Sequence, residues 1–187
     1  SLSRRQRQMC IRDSIKTLLT AGNDTAQFTA TSFSSLATAV VSDTTADVTD
    51  LTGAITQANT ATGAATTVFT ISAVDTINGG PMSEFTTLLG FESATPSQVS
   101  ITDQNLTVDS GTASVDNVNL LDATTTGTVT ASITTSERVD ELKTLTGTHA
   151  YTIVIDGADA TGITAADFNT INGKTTVAID ASAVTGL

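Results

Sequence analysis

One spacing of apolar residues occurs three times in the C-terminal half of the chain. In each copy, three apolar residues stand three positions apart, an interval of eight follows, and two more stand two positions apart. The copies begin at Val115, Val139 and Ala165, so they are offset by 24 and then 26 residues. A step of three places side chains on one face of a short helix, and a step of two places them on one face of a strand. Each copy therefore predicts a helix, a turn and a strand.

Capping residues agree with the predicted helices. Ser114 and Thr164 precede the first apolar position, where an N-cap is expected, and Thr164 with Asp167 matches a capping box. Gly147 and Gly173 follow two of the helices, where we expect left-handed C-caps. The apolar positions of the three copies are Val115, Val118, Leu121, Val129 and Ala131; Val139, Leu142, Leu145, Ile153 and Ile155; Ala165, Phe168, Ile171, Ile179 and Ala181.

A looser fourth copy lies upstream of these three. Residues 81–90, "PMSEFTTLLG", align with residues 164–173, and Pro81 suits the start of a helix. The corresponding strand is predicted at Val99 and Ile101. We therefore interpret residues 82–187 as an array of units of about 25 residues, a length typical of structural repeats.

Residues 15–81 follow the pattern less regularly, and we expect them to form either irregular repeats or a cap. Val68 to Ile71 predicts a strand, because β-branched and aromatic residues follow one another there. The Ala/Thr-rich stretch from Gln57 to Thr67 has few large apolar residues and predicts a loop or a weakly packed segment. The sequence "NGG" at Asn78 to Gly80 predicts a turn before a helix.

The spacing of the copies predicts how their strands pair. About twenty residues that include a helix are enough for a crossover, so successive strands can lie parallel with right-handed connections. Because no single unit can bury its apolar face alone, we predict an α/β repeat array, solenoid-like, of short helix plus parallel strand units. The alternative is an all-β array, a parallel β-helix or Ig-like sandwiches, which the many Thr and Val residues also suit.

The first residues differ from the rest of the chain. Residues 4–14, "RRQRQMCIRDS", are encoded without a mismatch by the transposase adapter of tagmentation sequencing libraries, so we interpret residues 1–14 as adapter-derived and not native. A genuine basic arm that binds nucleic acid or acidic lipid is the alternative. Residues 15–187 then contain four basic and 18 acidic residues, a net charge of −14, against −11 for the whole chain.

This composition excludes several classes of function. A chain so acidic repels phosphate backbones, so we expect no nucleic-acid partner. The only cysteine, Cys10, lies in the adapter segment, so the remaining sequence offers no disulfide, thiolate metal site or cysteine nucleophile. We predict no membrane span in residues 15–187. Acidic side chains on a Thr-rich array favour solubility outside the cell and discourage edge-to-edge pairing of strands.

No set of residues predicts catalysis. His149 is the only histidine and stands in the turn before the strand Tyr151 to Ile155, so neither a Ser-His-Asp triad nor a zinc site can be completed, and we expect an exposed turn histidine. Several acidic residues lie in the first turn of the predicted helices, where they suit the helix dipole; they are Asp116, Asp140 and Asp167. We therefore predict no enzyme activity and no catalytic or cofactor-binding residues.

Calcium is the one cofactor that the sequence leaves open. Residues 156–162, "DGADATG", place Asp156 and Asp159 near glycines, but they match neither an EF-hand loop nor the calcium-binding nonapeptide repeat. A solvated turn explains this stretch more simply, so we predict no metal site.

Two stretches resemble known repeats. "ITAADFNTINGKTTVAIDASAVTGL" (163–187) and "VDNVNLLDATTTGTVTAS" (115–132) resemble the degenerate repeat "TAADLN-LDA-TTGTVDAS-LTG" of giant secreted or cell-surface proteins of aquatic bacteria, notably cyanobacteria. "TAADFNTING" is similar to the "TAAELN-LDG" runs of phage tail fibres. These resemblances cover roughly residues 82–187 and imply structural, adhesive or motility-related roles without catalytic residues.

Three functions follow as expectations. We first expect a fragment of a large extracellular or cell-surface repeat protein with a structural or adhesive role, whose partners are neighbouring repeats of its own chain and an unidentified surface ligand or glycan. The alternative is a trimeric phage tail-fibre segment that binds a host receptor. A carbohydrate-active β-helix enzyme comes third, because paired carboxylates could arise from distant Asp residues.

Overall fold

The chain folds as an α/β protein. The computed structural model describes residues 38–41, 43–63, 67–156 and 162–185. The strands are β1 (Thr38–Val40), β2 (Thr45–Asp47), β3 (Val68–Thr70), β4 (Thr76–Pro81), β5 (Asn105–Ser110), β6 (Val129–Ser132) and β7 (Ala150–Thr152). The helices are α1 (Val48–Thr62), α2 (Met82–Glu92), α3 (Val115–Thr124), α4 (Val139–Leu142) and α5 (Ala165–Asn172).

Five strands form one mostly parallel sheet in the order β2-β4-β5-β6-β7, and β1 pairs with β3. The pairings β1–β3, β2–β4, β5–β6 and β6–β7 are all parallel. Parallel strands require crossover connections, and helices supply them here. The α/β prediction is therefore confirmed, and the all-β alternative is wrong.

The described residues divide into two compact units. The first comprises those up to Gly79 together with Ser83–Ile101, and the second comprises Gly80–Met82 and those from Thr102 onward. The adapter segment (1–14) and the irregular region before β1 (15–37) lie outside the described residues. So does most of the candidate calcium stretch, since 157–161 are not described.

In the first unit, α1 follows β2 directly. Asp47 caps the helix, because its Oδ1 accepts hydrogen bonds from the amides of Thr49 (2.8 Å) and Asp50 (3.1 Å). Gly63, in the left-handed conformation with φ of 69°, ends it. The buried face includes Val48, Leu51, Ile55 and Ala58, which recur every three or four residues. The second helix of this unit, α2, begins directly after Pro81, as the sequence predicts.

Two local predictions in the first unit are wrong. The stretch from Gln57 to Thr67, predicted as a loop or a weakly packed segment, is helical as far as Thr62, and 64–66 lie outside the described residues. Ala58 packs inward, and the hydroxyl of Thr60 donates to the carbonyl of Thr56 at 2.9 Å. Asn78 to Gly80 forms no turn, because β4 extends through these residues, and Asn78 pairs with Asp47 of β2. Val68–Thr70 is a strand as predicted, and Val99 makes a single parallel bridge to Phe69.

In the second unit, β5, β6 and β7 lie side by side, with Thr107 opposite Thr130 and Thr130 opposite Ala150. The predicted core positions of the first copy are all buried, namely Val115, Val118, Leu121, Val129 and Ala131. In the second copy Leu142, Leu145, Ile153 and Ile155 are buried and Val139 is half-buried. In the third copy Ile171 is buried, Phe168, Ile179 and Ala181 are half-buried, and Ala165 is exposed.

Helix starts in this unit match the sequence better than helix ends. Ser114 caps α3, and Thr164 forms a capping box with Asp167 at α5, as predicted. Gly173 has φ of −69°, so its predicted left-handed cap is wrong. Gly147 does have a positive φ of 64°, but it lies beyond the end of α4, which closes early at Lys143 through i to i+3 bonds.

Candidate functional site

His149 is one of the polar residues that the second unit buries. The imidazole is 11% exposed, so the prediction of an exposed turn histidine is wrong. The reason is strand alternation: His149 stands two residues before Tyr151, and residues two apart in an extended chain point to the same face. Because Tyr151 is fully buried in β7, His149 is carried to the interior with it.

Both ring nitrogens of His149 are engaged. Nδ1 accepts a hydrogen bond from the backbone amide of Val129 in β6 at 3.2 Å. Because an amide only donates, Nδ1 carries no proton, so the proton of the neutral ring lies on Nε2. Nε2 donates it to Oδ1 of Asp122 near the end of α3. The imidazole therefore joins three elements: a helix, the neighbouring strand and its own strand.

Asp122 is held as a carboxylate by its neighbours. Burial by itself raises the pKa of Asp122, but side-chain hydrogen bonds from Thr146 and His149 lower that pKa below its ordinary value. Gly147 lies against this pair: a Cβ there would collide with the imidazole and the carboxylate, and its φ of 64° also favours glycine. The pair and this glycine form one packed arrangement.

Tyr151 lies on the core side of His149 and forms a cluster with His149, Asp122 and Gly147. Its ring centroid lies 5.5 Å from that of His149, with the planes tilted by 59°. Its hydroxyl is buried and has no hydrogen-bond partner among the described residues. Burial, and secondarily the charge of Asp122, raise the pKa of Tyr151 well above its usual range. The hydroxyl therefore stays protonated.

Two threonines make the same contacts in the neighbouring copies. Thr125 donates a hydrogen bond to the carbonyl of Gln104 at 2.6 Å and accepts one from the amide of Gly127 at 2.9 Å. Thr175 donates to the carbonyl of Tyr151 at 2.6 Å and accepts from the amide of Val177 at 3.0 Å. We call this pair of bonds, made by Thr125 and by Thr175, the threonine clamp. Each clamp fastens the chain that follows a helix to the preceding strand segment.

His149 occupies the clamp position of the middle copy. Each copy has its buried polar residue ten positions after its first apolar residue. These polar residues are Thr125, His149 and Thr175, and the first apolar residues are Val115, Val139 and Ala165. All three polar residues are buried. The alignment of the three copies therefore indicates burial at position 149. The prediction of an exposed turn histidine did not use this alignment.

The acidic residues predicted at helix starts lie where expected. Asp116, Asp140 and Asp167 are in the first turns of α3, α4 and α5. The sequence did not predict that Lys143 Nζ bridges two of them, at 2.8 Å from Asp140 and 2.9 Å from Asp167. The hydrogen bond from Lys143, and then those from Thr164, lower the pKa of Asp167 to about 2. These contacts fasten α4 to α5.

The cluster has the chemistry of a structural cross-link. A general base needs a free ring nitrogen within reach of the proton it removes, whereas both nitrogens of His149 are occupied by protein groups. Across the part of the chain that the structure describes, no group of three His, Cys, Asp or Glu side chains is arranged to hold a metal ion. Within the same residues, no helix has the length and apolar character needed to span a bilayer.

Comparisons of the chain with protein families, with curated proteins and with solved structures found no match.

Proposed function

We propose that this chain is a non-catalytic structural segment of a secreted or cell-surface repeat protein, built as a solenoid-like stack of short α/β units. The observation that carries the proposal is the recurrence of the threonine clamp at Thr125 and Thr175, with His149 at the corresponding position between them. Such recurrence is what a stack of equivalent units would produce, since each unit must be fastened to its predecessor in the same way.

The strand register supports the same proposal. Ala113 pairs with Ile133, His149 with Thr175, and Val154 with Asp180, all in parallel. In each case a residue is paired with one that lies about one repeat further along the chain. A stack of units held by neighbour contacts has a length set by the number of units, which suits a spacer.

The surface chemistry favours an extracellular spacer or adhesive segment. Residues 15–187 carry a net charge of −14. The outward positions of the paired strands are small and hydroxyl-rich and include Thr107, Thr130, Ser132 and Thr152. The resemblance of residues 82–187 to bacterial surface repeats points in the same direction. The expected partners are neighbouring repeats and a surface ligand such as a glycan.

Native-state hydrogen exchange on the whole chain tests the stacked architecture. In a stack, each unit contacts only its neighbours, so amide opening free energies should differ from unit to unit and decrease toward the ends. Amides of β5, β6 and β7 should therefore exchange with separate denaturant dependences. A single opening free energy shared by all core amides would contradict the stack.

Three further measurements test the functional class and the location of the protein. Light scattering should give a monomer, whereas a stable trimer would favour the tail-fibre alternative. Incubation with a panel of polysaccharides should give no hydrolysis or lyase products; products that disappear when clustered Asp residues are replaced by Asn would favour the carbohydrate-active alternative. Antibodies against the chain should label intact, unpermeabilised source cells if the protein is on the surface.

A further inference from the structure

We infer that His149 makes the contact between β6 and β7 sensitive to acid, a property that the threonine clamps on either side lack. The inference starts from the alignment of the three copies. Thr125 and Thr175 fasten their segments with hydroxyl groups, which do not ionise in the physiological range, while the middle copy uses an imidazole at the same position. Histidine is the side chain whose charge ordinarily changes between about pH 5 and 8.

Protonation reverses the role of one ring nitrogen. In the neutral ring, Nδ1 accepts a hydrogen bond from the Val129 amide at 3.2 Å. A proton added to the neutral ring goes to Nδ1, because Nε2 already carries one. The amide and the ring would then present two donors to each other in a buried position, so this hydrogen bond is lost and the Val129 amide is left without an acceptor.

The charged groups around the ring determine which contacts of His149 weaken when the ring is protonated. Asp122 of α3 remains hydrogen-bonded to Nε2 and stabilises the imidazolium, so the ring stays attached to the helix. On the strand side, the residues that the structure describes form no ion pair with the ring. There the ring meets the Val129 amide, the Tyr151 ring and Gly147, while the backbone of His149 is hydrogen-bonded to the backbone of Lys174 and Thr176.

Acidification therefore strengthens one contact of His149 and breaks another. The His149 side chain keeps and strengthens its link to Asp122 while it releases β6 at Val129. The acid-sensitive position is the start of β6, where Val129 also lies opposite Leu106 of β5. The consequence is a local opening at one junction, with the clamped segments on either side unchanged.

The test follows two observables of the intact chain by NMR as the pH is lowered. Long-range ¹H–¹⁵N spectra of the imidazole report which nitrogen carries the proton, and hydrogen exchange reports the protection of the Val129 amide. The internal controls are the amides of Gly127 and Val177, which donate to the threonine clamps. We expect Nδ1 unprotonated at neutral pH, and Val129 protection falling about tenfold as the ring titrates, the loss of roughly one hydrogen bond. Protection at Gly127 and Val177 should not change in that step.

A variant provides an independent test of the inference. His149→Thr installs the residue found at 125 and 175, and it should abolish the acid step at Val129. Four results would overturn the inference: Nδ1 protonated at neutral pH, Val129 protection unaffected by ring titration, Val129 and both controls lost together as the chain unfolds, or an acid step that persists in His149→Thr. The wild-type measurement decides the question even if this variant does not fold.

Discussion

The carboxylate of Asp47 lies against Gly79 in the neighbouring strand and occupies the space that a Cβ on that glycine would need. The same carboxylate caps α1 by accepting hydrogen bonds from the Thr49 and Asp50 amides. Gly79 also has φ of 85°, a conformation that L side chains rarely adopt. The start of α1 and the path of β4 thus depend on one glycine.

Replacing Gly79 by alanine should therefore destabilise the protein. The new methyl group displaces the capping carboxylate, and the alanine must adopt a left-handed backbone conformation. We therefore expect a loss of about 2–4 kcal/mol in unfolding free energy. Denaturant titration measures it. The matched control is Gly53→Ala inside α1, where an added Cβ meets nothing within 4 Å and should stabilise the helix by about 0.5–1 kcal/mol. Equal effects of the two substitutions would contradict this explanation.

The threonine clamps can be measured separately. Thr125→Val and Thr175→Val each remove a buried hydroxyl that donates at 2.6 Å, so each should cost about 1–3 kcal/mol because a buried carbonyl and amide lose their partners. Similar losses at both sites are expected if the clamps are equivalent. Thr152→Val, at an exposed position of β7, is the control and should stay within about 0.5 kcal/mol of the wild type. A clamp variant as stable as this control would refute the assigned role.

The Tyr151 hydroxyl should be unfavourable for stability. It is buried without a hydrogen-bond partner among the described residues, so Tyr151→Phe removes an unsatisfied polar group and should raise the unfolding free energy by about 1 kcal/mol. Thermal and denaturant unfolding both report the change. Because the phenyl ring still packs beside His149, the hydrogen bond between His149 and Val129 should remain visible in NMR spectra. A substantial loss of stability would mean that the hydroxyl makes a bond in solution.

The Lys143 network predicts a pH dependence with a definite sign. The pKa of Asp167 is lowered to about 2 in the folded chain, against about 3.9 for an unperturbed Asp. A lowered pKa stabilises the fold above the unfolded value, so the contribution of Asp167 is complete above about pH 5 and is lost as the pH falls toward 2. The difference in stability between wild type and Asp167→Asn should shrink over that range.

Asp116→Asn provides the control for this network. It makes the same charge change in the first turn of α3, away from Lys143. Denaturation of the three proteins between pH 6 and 2 is the measurement. If Asp116→Asn shows the same pH-dependent difference as Asp167→Asn, the ion pair with Lys143 is not the cause.

Predictions succeeded where the deciding interactions lie within one helical turn or one strand. The apolar steps at Val115, Val118 and Leu121, and the cap formed by Thr164 with Asp167, depend on residues three or four apart. Such contacts form whenever the segment is helical, so the sequence contains them directly. The loop predicted from Gln57 was wrong for a related reason. Alanine and threonine give a weak apolar pattern, but the helix that begins at Val48 continues through them and packs in the core.

The sequence by itself determined the α/β character, the starts of α3 and α5 and most of the buried positions of the first two copies, because these follow from local periodicity and capping. Only the tertiary structure decided which distant residues meet. Asp122 and His149 are 27 positions apart, and Lys143 and Asp167 are 24 apart. The strand order and register bring each pair together, and they are set by how successive strands stack. No local pattern records that choice, because it is made by the packing of whole elements against one another.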